Sequence, residues 1–239
     1  MKALFIQLAI QFRSDLRDKS VLMVYYLVPL LFYAVMGSIM KTLSVDSGIP
    51  LTLSVTIFTL SMPAFLGMPA VLVKAREFGY LEAYRAAGIP AWTFPFTVII
   101  ICTLHILIAA AAIMLSAPYL FGASLPENIT AHLITVLLTA LCSQSLGTLA
   151  ACLVKKQNTM MLAAQCLFLP SIMFSGIMFP AELLPDFMQT IGKVLPAAQG
   201  ILLYSDTGLQ LQPLLILSGT AAAGFTVSAF LFRRISERK

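Results

Sequence analysis

The chain has 239 residues, of which 59% are hydrophobic and only 10% charged, with a formal net charge of +5. A soluble domain carries roughly 25% charged residues, so a water-soluble fold is excluded and lipid is the solvent. The fifteen basic residues are dispersed between apolar runs and form no face, which argues against a nucleic-acid partner.

Residues 2–19 come first. Leu4, Phe5, Leu8, Phe12 and Leu16 fall on one helical face, and Gln7, Gln11, Ser14, Asp15 and Asp18 on the other. The pattern predicts an amphipathic helix lying at the membrane surface. No short apolar core followed by a small-residue cleavage site precedes the first long run, so that run is expected to stay attached as a span.

A bilayer core of about 30 Å needs about 20 apolar residues as helix. Six runs qualify, at about 21–40, 51–73, 92–115, 131–154, 159–179 and 213–232. Pro29, Pro63, Pro69, Pro95 and Pro170 lie inside them, and kinks are expected there. Thirteen of the fifteen Lys and Arg fall on one side of these spans, and only Lys41 and Lys193 on the other. Acidic residues divide five and five, so the bias belongs to the basic residues alone. The positive-inside rule then places both termini in the cytoplasm.

Between spans two and three lies a charged island, 74–90, with Lys74, Arg76, Glu77, Glu82 and Arg85. Phe78, Leu81 and Tyr84 recur every three residues, which predicts an apolar stripe on a short helix that fits a groove on another protein. The outer segment 180–212 holds two apolar helical patterns, 183–195 and 197–204, separated by Pro196. Two short helices that dip back toward the membrane are expected there. Small residues recur every four positions at Ser143, Gly147 and Ala151, and at Thr220, Gly224 and Ser228, and permit close helix approach.

Chemistry is sparse. No Asp, Glu, Lys or Arg lies in the middle of a span. His105 is the one intramembrane candidate for a proton relay, against interhelical hydrogen bonding. Gln144 and Gln165 read as interhelical hydrogen-bonders that also have the chance to line a cavity. Cys102, Cys142, Cys152 and Cys166 lie in apolar runs without metal-ligand spacing, and no disulfide is expected. Zinc-protease, serine-hydrolase and phosphate-loop motifs are missing. No catalytic residue, metal site or cofactor site is expected, and energy for work must come from another chain.

The loop Arg76-Glu77-Phe78-Gly79-Tyr80-Leu81-Glu82-Ala83-Tyr84-Arg85 resembles the cytoplasmic motif of the membrane subunits of ABC type 2 exporters. Tyr80 stands where that motif has Thr, and Tyr84 where it has Leu. Ser175-Gly176-Ile177-Met178-Phe179-Pro180, followed by Leu195-Pro196, is similar to the outer motif of the same family. The resemblance covers nearly the whole chain. It implies an all-α polytopic permease of the cell membrane, of bacterial type, with six spans, both termini cytoplasmic, and no ATPase site of its own. It also implies a cytoplasmic ATP-binding subunit that holds the ATP and Mg, and a second permease chain, identical or paired. Arg76, Glu77, Phe78, Gly79, Leu81, Glu82 and Arg85 would form the ATPase-coupling helix. Ser175, Gly176, Phe179, Pro180 and Pro196 would form the outer motif. The implied cargo is an amphipathic drug, peptide or lipid. An ion-coupled transporter and a membrane immunity protein remain the alternatives.

Overall fold

The computed structural model describes residues 2–43, 51–177, 184–205 and 208–237. The chain is helical almost throughout. Helix α1 (Lys2–Asp15) leads to α2 (Lys19–Leu22), a π-helical turn (Met23–Leu27) and α3 (Val28–Leu43). Next come α4 (Leu51–Met62), a second π-helical turn (Pro63–Gly67) and α5 (Met68–Glu77). The short α6 (Tyr80–Ala86) precedes the long α7 (Thr93–Phe121), α8 (Ile129–Leu153) and α9 (Gln157–Met173). Helices α10 (Asp186–Gly192) and α11 (Pro196–Leu203), a two-stranded antiparallel ribbon (β1, Tyr204–Ser205; β2, Gly208–Leu209) and α12 (Leu211–Glu237) complete the order.

Five of the described helical stretches are long and apolar enough to cross a membrane: Lys19–Ile39, Leu51–Glu77, Thr93–Phe121, Ile129–Leu153 and Leu211–Arg234. The expected run 159–179 forms α9, which has 17 residues. At 1.5 Å per residue it is about 26 Å long, short of the roughly 30 Å hydrocarbon core. Its end is set by Ser175, whose hydroxyl donates to the carbonyl of Ile172 at 2.7 Å and accepts from the amide of Ile177 at 3.2 Å.

The α4–α5 stretch is the hub. Within its apolar window 83% of residues are buried, against 22% in the first and last spans. Leu53, Ile57, Leu60, Phe65, Met68 and Val73 form the centre of the core, with α3, α7, α8, α9 and α11 around them. The outer faces carry exposed Leu31, Val35, Ile108, Leu162, Leu215 and Phe230. In water such a surface would aggregate; in lipid it is the expected one.

Both π-helical turns stand just before prolines, Pro29 and Pro69, and the second opens on Pro63. A proline lacks its amide and crowds the carbonyl four residues back, and a widened turn relieves both. Pro95 lies in the first turn of α7, where no amide is needed. Gly147 has backbone next door: an added Cβ would run into the carbonyl oxygen of Ala64 and Pro69. The second small-residue stripe packs α12 on α8, with Gly224 against Ser145 and Thr220 Oγ1 2.9 Å from Cys142 Sγ.

Helix α1 carries several exposed apolar residues on its outer side. Phe5, Ile6 and Ile10 of α1 are exposed, whereas Asp15 is buried. The polar line Gln7, Gln11, Asp15 faces the bundle. Those groups find partners among neighbouring helices, and lipid can solvate only the apolar side.

Candidate functional site

The charged island folds as a corner. Helix α5 runs on through Glu77, and Gly79, at φ +73°, starts α6 in the left-handed conformation that glycine adopts without strain. The two residues before the turn are held by distant helix ends. The Arg76 guanidinium donates to the carbonyls of Ala151, Cys152 and Val154 at the end of α8. The Glu77 carboxylate accepts from the backbone amide of Gln157 at 3.0 Å, at the start of α9. A cation thus meets the negative end of one helix and an anion the positive end of the next, each satisfying orphan backbone groups. The pair clamps the short link 154–156 between α8 and α9.

The predicted stripe Phe78, Leu81, Tyr84 does not hold together, because the helix breaks at Phe78. Leu81 is buried within the chain. Tyr84 packs edge-on against Phe94 with ring centres 5.7 Å apart and accepts from Gln7 Nε2 at 3.3 Å. What the corner presents outward is Phe78, 61% exposed, Tyr80 and Glu82, with Arg85 half-buried behind them.

A second cluster lies where α1 crosses α7. Gln11 Nε2 donates to Asp15 Oδ1 at 2.7 Å, and Asp15 Oδ2 is 3.7 Å from His105 Nε2. The other ring nitrogen, Nδ1, is 2.6 Å from the Tyr26 hydroxyl. Phe12 stacks on the imidazole at 4.8 Å, and Tyr25 meets it edge-on at 5.3 Å. Either the Tyr26 hydroxyl or Nδ1 can be the donor of that bond, and Nε2 faces the Asp15 carboxylate. His105 is therefore not alone in the membrane. Its acidic partner lies 90 positions away on a different helix, so no local spacing reveals it. Gln7, Tyr84, Asp15, His105 and Tyr26 tie α6, α1, α7 and the first π-helical turn into one polar seam.

The other candidates are scattered. Gln144 is buried and exchanges hydrogen bonds with Thr103 at 3.1–3.2 Å. Gln165 is exposed on α9. Ser175 and Gly176 form the turn after α9, and Pro196 opens α11. Phe179 and Pro180 lie outside the described residues. Sequence reasoning passed over His132, which is buried under Tyr204. Among the described residues no three His, Cys, Asp or Glu side chains come close enough to hold a metal ion.

The helices, the lipid-facing surface and the clamped corner define a polytopic helical membrane protein. The profile of the ABC-2 type transporter family matches residues 2–206, and the chain belongs to that family. The family comprises the membrane permease domain of ABC transporters, which pairs in general with an ABC ATPase subunit and carries no ATPase site. No curated protein matches the chain.

Proposed function

We propose that this chain is the permease subunit of an exporter driven by a separate ATP-binding subunit seated on the α5–α6 corner. The observation that carries this reading is the clamp. Arg76 and Glu77 fix the corner to α8 and α9, so a push on Phe78, Tyr80 or Glu82 is delivered to α5, α8 and α9 together. An exposed aromatic pair beside a charge is the usual chemistry of an interface anchor, and Phe78 and Tyr80 rings lie 6.4 Å apart. Arg76 and Glu77 act within the chain in this reading, while Phe78, Tyr80, Glu82 and Arg85 meet the partner. The polar seam through α1 braces α6 from behind.

The reading also takes six crossings with both termini in the cytoplasm. Its support is that α8 and α12 run parallel: Cys142, Ser145 and Cys152 pair in order with Thr220, Gly224 and Ser228. The chain between them must travel the length of the bundle, and α9 followed by a dipping α10–α11 pair does so.

The interior holds a set of unmet polar groups that the transport cycle could use. In the half of the bundle away from α6, the hydroxyls of Thr52, Thr59, Thr135 and Thr139, Gln199 Oε1 and both ring nitrogens of His132 are buried without protein partners. An unmet buried polar group costs about 1–3 kcal/mol, so these groups would take water, or the polar part of an amphipathic cargo, once the helices around them part.

The test uses the full complex with its ATP-binding subunit in vesicles. A photo-crosslinker at Tyr80 is expected to capture that subunit, and Glu82→Lys to cut nucleotide-dependent transport about tenfold while the chain still inserts. Capture nowhere and undiminished transport would refute the assignment.

A further inference from the structure

On the opposite flank from the seam, α7, α8 and α12 leave an open groove of about 1100 Å³. That is just above the usual range of about 300–1,000 Å³ for sites that hold drug-sized ligands. Its walls are Phe96 and Leu104 of α7, Leu141 of α8, and Phe225 and Phe232 of α12. Its polar groups are few and distinct in kind. Thr103 and Thr148 already bond to Gln144, by side chain and backbone respectively. Ser228 Oγ is buried and has no hydrogen-bond partner among the described residues. Arg233 stands at the mouth, exposed, with no ion pair among the described residues. The next residue, Arg234, is differently engaged: its guanidinium lies 4.7 Å over the Phe230 ring.

The mouth is at the α6 end of the bundle, because Trp92 lines it and directly precedes α7. Tryptophan and arginine at one level mark the membrane–water boundary. Below that level the groove is apolar and opens sideways into lipid. We infer that this groove is a binding site for an anionic phospholipid of the leaflet on the α6 side, its phosphate on Arg233 and an acyl chain along Phe96, Leu104 and Phe232. Each part of the ligand follows from a part of the site. An apolar trough needs an apolar chain, and a cation without an ion pair among the described residues selects negative charge at the headgroup level. A neutral lipid would leave Arg233 with water alone. A second copy of the chain would have to bring both an apolar ridge and an acid to the same place.

Trp92 is the only tryptophan of the chain, so its fluorescence reports this mouth alone. The full chain is placed in phosphatidylcholine vesicles containing either brominated phosphatidylglycerol or brominated phosphatidylcholine at equal bromine content. Brominated phosphatidylglycerol should quench Trp92 at about fivefold lower mole fraction, the preference that one basic group near the surface confers. Arg233→Gln should abolish the preference and Arg234→Gln should keep it. Equal quenching by the two lipids in the wild-type chain would overturn the inference, as would Trp92 shielded from both lipids by a second copy. Ala229→Phe, which fills the trough without touching the cation, should weaken quenching by bromine placed mid-chain. If mid-chain quenching is unchanged, the acyl chain does not lie in the groove.

Discussion

Arg76 and Glu77 are adjacent, opposite in charge, and each faces the helix end of the opposite polarity. Charge-assisted hydrogen bonds of this kind contribute about 1.5–3 kcal/mol, so Arg76→Ala should destabilise the chain by about 2–3 kcal/mol, seen as a lower Tm in detergent. Arg76→Lys should recover only part of this loss, since an ammonium cannot fork across three carbonyls as a guanidinium does. Equal Tm for Arg76→Ala and the parent would mean that the clamp carries no load. The motif that contains these residues was legible in the sequence, but their work was not. A motif reads as a string of exposed contacts, whereas Arg76 reaches residues 75 to 78 positions away and Glu77 reaches one 80 away. The pairing of Asp15 with His105 escaped notice for the same reason. Asp15→Leu should free α1 from α7 and speed amide exchange in residues 2–15; unchanged protection there would show that α1 is held by its apolar contacts alone.

At the scale of elements, hydropathy read the helices well because lipid enforces one rule along each span: every backbone group is satisfied internally, and side chains are apolar. The same solvent accounts for the two faces of α1. In water the apolar side of an amphipathic helix turns inward, but here the exposed side touches hydrocarbon and the polar side seeks the bundle. The length of α9 was overread because apolar residues continue past Met173 into a turn that Ser175 caps. The small-residue stripes, common in any bundle, become specific only once neighbours are known. Gly219 and Gly224 lie on the same helix, yet an added Cβ at Gly219 meets nothing within 4 Å, while at Gly224 it meets Ser145 Oγ at 2.6 Å. Gly224→Ala should therefore lower Tm through overpacking by about 1–3 kcal/mol, and Gly219→Ala should leave it unchanged or raise it, alanine being the better helix former. Matching effects at the two sites would mean that α12 does not pack on α8 in this register.

For the whole molecule, the question is which way the bundle sits in the bilayer and how often the chain crosses it. Two independent lines converge. The basic residues segregate, and their crowded side contains both the corner at Arg76–Glu77 and the end of α12 with Arg233 and Arg234. Lys41, from the sparse side, donates to the carbonyl of Leu120 at the far end of α7. In the proposed topology the parallel run of α8 and α12 has the chain cross between them by way of α9, although α9 alone is shorter than the hydrocarbon core. A bilayer meets a short helix by thinning, at fractions of a kcal/mol per Å of mismatch, and in that topology the α10–α11 pair would cover the remaining distance on the sparse side. In a background without the four native cysteines, a membrane-impermeant maleimide added outside intact cells should label Lys193→Cys and spare Tyr80→Cys. After permeabilisation both should react. Labelling of both from the same side before permeabilisation would return α9 to the side it started from. The parallel packing of α8 and α12 would then have no continuous chain to produce it.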